Sequence, residues 1–190
     1  MFKNIFGRNR TAGNVDVSKI GCDMHSHLIP GIDDGSPNIA TSVGLIKAMG
    51  ALGYRKLITT PHVMSDMYRN NPEIINQRFC ELAEALANED IKVEIEVAAE
   101  YLIDDGFGQK LKKGEILTFG DRFILIELPY FYAPPMFNEM LFELQVNGYQ
   151  IILAHPERYQ YWHNDIDNYH RLIDRGVFFQ LNILSLSGHY

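Results

Sequence analysis

The stretch Asn147-Gly148-Tyr149-Gln150-Ile151-Ile152-Leu153-Ala154-His155 carries the pattern that decides the fold. A helical segment from about Pro135 ends on Asn147-Gly148, where glycine tolerates the left-handed backbone that stops a helix. An apolar run follows without a loop, and it finishes on a histidine. The unit recurs along the chain. Gly53 feeds Tyr54-Arg55-Lys56-Leu57-Ile58-Thr59-Thr60, and Arg175-Gly176 feeds Val177-Phe178-Phe179-Gln180-Leu181-Asn182-Ile183. Helices that end in glycine and run straight into apolar strands imply parallel βα units, in a barrel or a doubly wound sheet.

The remaining elements follow from the same kind of reading. Ser36 is expected to cap the first helix, with Pro37 in its first turn and Ile39, Val43, Ile46 and Met49 at helical spacing. A second helix opens near Pro72 and carries Ile75, Phe79, Leu82 and Leu86 on one face. Val93-Glu94-Ile95-Glu96-Val97-Ala98-Ala99 alternates as a strand, with Glu94 and Glu96 on a solvated face. Phe123-Ile124-Leu125-Ile126 is short and fully apolar, as in a strand buried on both sides. No glycine-rich phosphate loop follows the first strand, which counts against a dinucleotide fold. Residues 1–18 read as a flexible lead-in, and 19–190 as one domain.

Composition narrows the function. The 190 residues are 46% hydrophobic and 22% charged, as in ordinary globular proteins. Twenty-four acidic against 17 basic residues give a net charge of -7, which argues against nucleic acid as a partner. A polyanionic substrate then requires metal ions to supply positive charge. Two cysteines, Cys22 and Cys80, form neither a disulfide framework nor a zinc-finger spacing. The basic start lacks the apolar run of a signal peptide, and no stretch is long enough to span a membrane. A cytoplasmic location is expected; the oligomeric state is left open.

The chemistry is written at the strand ends. His25 and His27 follow the first strand and His62 ends the second. Glu100 ends the third, Glu127 the fourth and His155 the fifth. In a parallel βα barrel, the C-terminal strand ends meet on one face, and that face holds the active site. His25 and His27, two residues apart in extended chain, can reach one ion. Asp34, in the turn Gly31-Ile32-Asp33-Asp34-Gly35, adds a carboxylate from the loop above, and Glu100 suits a bridging role. Imidazole and carboxylate without thiolate fit manganese, iron or zinc in a reactive site. Arg158, three residues beyond His155, is placed to grip a phosphate oxygen or to be an ordinary surface arginine. His163, His170 and His189 have no such placement.

Taken together, Asp23-Met24-His25-Ser26-His27, Asp33-Asp34-Gly35, Thr60-Pro61-His62, Ala99-Glu100, Ile126-Glu127-Leu128-Pro129 and His155-Pro156-Glu157-Arg158-Tyr159 resemble the polymerase-and-histidinol-phosphatase (PHP) superfamily. Within it they resemble the capsule-biosynthesis protein-tyrosine phosphatases. The resemblance implies an α/β fold, a distorted (β/α)7 barrel holding two or three divalent ions, usually manganese. It implies hydrolysis of phosphotyrosine on a bacterial tyrosine kinase that controls capsule or exopolysaccharide synthesis. By that similarity, His25, His27, Asp34, His62, Glu100, Glu127 and His155 are the metal ligands and Arg158 binds phosphate. A cysteine-based mechanism is excluded, because it needs arginine six residues after the nucleophile, where this chain has Leu28 and Leu86. The family completes its barrel with a further strand and an Asp-x-His pair, whereas this chain stops at Ser187-Gly188-His189-Tyr190. A C-terminally incomplete barrel is therefore expected. The alternatives are a histidinol-phosphate phosphatase-like enzyme and a non-catalytic metal-binding fragment.

Overall fold

Cys22–Ser26 forms the first strand, β1, and the chain then turns through residues 27–38 into helix α1, Ile39–Ala51. The computed structural model describes residues 19–89 and 91–186. The lead-in at 1–18 and His189 lie outside the described residues. Asn38, not Ser36, caps α1: its side chain accepts a hydrogen bond from the Thr41 amide at 2.9 Å. Ser36 is buried instead, bonded to Asn38 and Ser42, because it closes the loop onto the end of β1 through the His27 carbonyl. Ile46 is fully buried on the inner face of α1, whereas Ile39 sits at the edge and is exposed.

The next two strands depart from the sequence reading. The run ending at His62 splits into β2, Lys56–Thr59, and β3, His62–Val63. After α2, Pro72–Asn88, the next run splits into β4, Glu94–Val97, and β5, Glu100–Leu102. His62 and Glu100 therefore open new strands rather than close old ones. The ladder is carried across both breaks by Ala98 N–H to Thr59 O and Glu100 N–H to Pro61 O. A short helix that the pattern did not reveal, α3 at Phe107–Lys113, follows and ends at Gly114 in the left-handed region.

The second half follows the expected rhythm: β6, Phe123–Glu127; α4, Phe137–Val146; β7, Gln150–Ala154; α5, Ile166–Asp174; β8, Phe178–Gln180. Gly53, Gly148 and Gly176 all have positive φ at the helix-to-strand corners, as their position after a helix demands. The last strand is shorter than expected. Residues 183–186 turn into α6, Ile183–Leu186, because the Glu157 carboxylate accepts from the Asn182 amide and the Ser185 hydroxyl.

All strand pairs are parallel, in the orders β1-β2-β4 and β3-β5-β6-β7-β8. Each strand position thus neighbours the next in sequence. Helices cover the outer faces, over Ile46, Leu57, Leu82 and Leu86 on one side and Ile124, Ile126, Leu141 and Leu153 on the other. Ile58, Ala98, Leu125, Ile152 and Ala154 form an inner cluster.

Helix capping gives a direct test. Asn38→Ala and Asn71→Ala should each cost about 1 kcal/mol in urea denaturation, since both side chains accept N-terminal amide hydrogens. A loss that appears in Ser36→Ala as simple capping, with none in Asn38→Ala, would contradict the assignment.

Candidate metal centre

The inner cluster aims the site. Side chains alternate along a strand, so Ile58, Thr60 and His62 share a side, as do Glu96, Ala98 and Glu100, and Phe123, Leu125 and Glu127. In each series the residue at the open end stands beyond a member of the inner cluster, Ile58, Ala98 or Leu125. Glu94 and Glu96 occupy the opposite end of this face, where both pair with Lys56 at 2.7–2.8 Å; Glu94 is solvated and Glu96 half-buried. Two site residues break the alternation. Met24 packs on the inner cluster, and its neighbour His25 still reaches the site because the β1–β2 register shifts between Asp23 and Ser26, as a bulge does. His155 follows inward-facing Ala154 and is turned back by a left-handed backbone, φ 33°.

Glu100 lies at the centre, fully buried. Its Oε2 is 3.1 Å from His25 Nε2, 3.4 Å from His27 Nε2 and 3.1 Å from His62 Nδ1, and its Oε1 is 2.9 Å from His155 Nε2. Glu127 Oε1 is 2.9 Å from His62 Nδ1. Asp34, largely exposed, brings Oδ1 to 3.6 Å from His62 Nε2. The structure therefore gathers all seven predicted ligands. His25, His27 and Glu100; His27, Asp34 and His62; and His62, Glu100 and Glu127 each offer ligand atoms within 4.8 Å of one another. His155 stands outside these triads but touches Glu100.

Several of these contacts are not hydrogen bonds. Glu100 Oε2 and Glu127 Oε1 lie 3.1 and 2.9 Å from His62 Nδ1, yet all three atoms are buried without a hydrogen-bond partner. Buried polar atoms of this kind are normally satisfied. Their lone pairs converge on shared space, an arrangement that a divalent cation satisfies. Burial alone would raise the Glu100 pKa, but the imidazoles, His25 foremost, hold it well below the usual range. Burial likewise opposes charge on His27, yet Asp33 and Glu100 push its pKa up to about 10.

Sequence reasoning missed the groups that orient the imidazoles. Asp33 Oδ2 accepts from His27 Nδ1 at 2.7 Å, and the amides of Gly35 and His62 donate to the same carboxylate. Gln180 Oε1 accepts from His25 Nδ1 at 2.7 Å and from the His155 amide. In both pairs Nδ1 is engaged and Nε2 is left facing Glu100, as partners behind a metal ligand do. Gln180 stands at the end of the sixth strand position, where the strand-end rule applies; its neutral amide hid it. Asp33 lay in the turn already singled out.

A cavity of about 400 Å³ opens above the cluster, lined by every predicted ligand except Glu127 and also by Tyr130, Arg158 and Asn182. Arg158 stands 4.8 Å over the Tyr130 ring, which stacks on His155. His163 binds the Glu157 carbonyl, and neither it nor His170 joins a metal-competent group among the described residues. Cys22 is half-buried, with its thiol pKa pushed up by burial, and Cys80 is exposed on α2; neither lines the cavity.

Residues 21–190 match the model of a family described as capsular polysaccharide synthesis, CpsB/CapC. The chain belongs to the CpsB/CapC family. Its relatives include the tyrosine-protein phosphatase YwqE of Bacillus subtilis, 31% identical over 87% of this chain and 66% of YwqE. The putative tyrosine-protein phosphatase CapC of Staphylococcus aureus is 30% identical over 88% of the chain and 66% of CapC. A solved structure from work on YwqE and the Streptococcus pneumoniae CpsB, described as unique metal-dependent tyrosine phosphatases, superimposes with a TM-score of 0.78 at 30% identity. It covers 84% of this chain and 65% of that one. The chain thus spans about two thirds of the length of these CpsB/CapC relatives, and the parallel α/β architecture is shared.

Two outcomes follow for the site. A Cβ at Gly35 would collide with the Cβ and carbonyl of His27, so Gly35→Ala should lower metal stoichiometry measured by atomic emission while the fold, read by circular dichroism, persists. Without metal, His27 carries a proton up to about pH 10, and a metal needs its Nε2 lone pair. Metal uptake at pH 7 should therefore release a proton, seen as calorimetric heats that vary with buffer ionisation. Affinity should climb about tenfold per pH unit up to about pH 10; a pH-independent affinity contradicts this.

Proposed function

We propose that this protein is a metal-dependent protein-tyrosine phosphatase acting in the cytoplasm on a bacterial tyrosine kinase that governs capsule or exopolysaccharide synthesis. The observation that carries the reading is the buried Glu100 carboxylate shared by four imidazoles, in a chain whose CpsB/CapC relatives bear the name tyrosine-protein phosphatase. We take residues 19–190 as one phosphatase domain whose described residues supply six strand positions of a distorted (β/α)7 barrel. The consecutive strand order and the Gln180–His25 contact between β8 and β1 support that reading. Among the described residues no helix is long and apolar enough to cross a membrane.

His25, His27, Asp34, His62, Glu100, Glu127 and His155 would hold two or three divalent ions. Manganese is our first choice and iron or zinc the alternatives, since the set is imidazole and carboxylate. Such ions supply Lewis-acid clamping of phosphoryl oxygens and hydroxide near neutral pH. The residues themselves do the rest. Glu100, touched from several sides, is suited to bridge. Asp33 and Gln180 fix the tautomers of His27 and His25. Arg158, at the cavity mouth beside Tyr130, presents a planar cation to phosphate oxygens. The carboxylates below would repel a phosphate dianion, so substrate entry depends on the cations and on Arg158 together.

Purified protein should hydrolyse a phosphotyrosyl peptide with manganese, stop with chelator, and recover on adding the metal back. Histidinol phosphate should be the poorer substrate. Arg158→Ala should cut kcat/KM on the order of 10²-fold with metal content unchanged. Turnover that survives chelation, or a preference for histidinol phosphate, rejects the proposal.

A further inference from the structure

Tyr159 is a fully buried side chain that the proposed chemistry leaves without a task. Strands β6 and β7 pair up to Ile126 and Leu153. One step further, their backbones are joined through a side chain. The Leu128 amide donates to the Tyr159 hydroxyl at 2.9 Å, and that hydroxyl donates to the Ala154 carbonyl at 3.0 Å. The hydroxyl thus stands in the ladder between two strands that otherwise bond directly.

Its position bears on the site. Leu128 follows Glu127, and Ala154 precedes His155, so both bonded groups belong to residues next to site residues. The Tyr159 ring also packs edge-on against His155 at 5.8 Å. Glu127 Oε2 and His155 Nε2 stand 3.7 Å apart, and each contacts a different part of the cluster: Glu127 meets His62, and His155 meets Glu100. A direct amide-to-carbonyl bond, about 2.9 Å long, would bring these strand ends closer than a bridge of two bonds. The hydroxyl's own hydrogen goes to Ala154, which leaves its oxygen to accept from Leu128.

We infer that Tyr159 is a positioning residue: its hydroxyl, inserted between β6 and β7, sets the spread of Glu127 and His155 and so the geometry of the metal cluster. The inference rests on the metal-site reading above. Tyr161, whose ring stacks on Tyr159 and whose hydroxyl donates to Pro129 O at 3.0 Å, bonds the same loop but not the ladder. It supplies the control.

The test compares the wild type with Tyr159→Phe and Tyr161→Phe. Manganese affinity is read by calorimetry and site symmetry by the visible spectrum of the cobalt-loaded protein. Tyr159→Phe should bind manganese at least about tenfold more weakly and shift the cobalt bands, the size expected for losing an outer partner of a metal ligand. Tyr161→Phe should stay within about twofold of wild type. A folded Tyr159→Phe with wild-type affinity and spectrum overturns the inference, as does an equal loss in both variants. If Tyr159→Phe does not fold, hydrogen exchange at the wild-type Leu128 amide decides: manganese should slow it more than it slows the Ile151 amide, and no difference overturns the inference. A wild type that binds no manganese instead defeats the underlying metal-site reading.

Discussion

A carboxylate removed from water is costly unless its charge is met on all sides. Glu100 is in that position. Three imidazoles face one of its oxygens and a fourth faces the other. Those imidazoles come from β1, the turn after it, β3 and the end of β7, so satisfying this one group draws together most of the strand ends. The rest of the site is arranged around it. Asp33 and Gln180 hold His27 and His25 from behind, and Glu127 closes the side next to His62.

The strands deliver these residues by two routes. His62, Glu100 and Glu127 arrive on the inward-facing side, beyond Ile58, Ala98 and Leu125 of the inner cluster. His25 and His155 need a local departure, a register shift in one case and a positive φ in the other. The left-handed backbone of His155 costs of order 1–3 kcal/mol, and both departures persist where surrounding contacts fix them. Here the fixing partner is shared, because Gln180 binds both the His25 ring and the His155 amide. One residue at the end of β8 thus stabilises both irregular positions.

Electrostatics ties the site to its family. An acidic chain of net charge -7, with carboxylates on the floor of its cavity, is poorly made for a phosphate unless cations are present. Glu100 Oε2, Glu127 Oε1 and His62 Nδ1, buried without hydrogen-bond partners, suit such cations. This agrees with the metal dependence that the description of the YwqE and CpsB structures states. The thiols, one half-buried on β1 and one exposed on α2, stand away from the cavity.

The sequence by itself determined the parallel α/β class, the three glycine corners and the seven side chains that meet at the cluster. It did so because helix-to-strand corners need a left-handed residue, and because strand ends in such folds share one face. It misread details that depend on neighbours. Ser36 became a buried loop bridge and Asn38 took the cap; two strands broke at Thr60-Pro61 and Ala98-Ala99; the last run turned into α6 once Glu157 could cap it. Only the tertiary structure decided the roles of Asp33, Gln180 and Tyr159. Each acts through hydrogen bonds to residues on other elements, or from a loop back to its strand, and no local pattern records which partner the fold will bring within 3 Å.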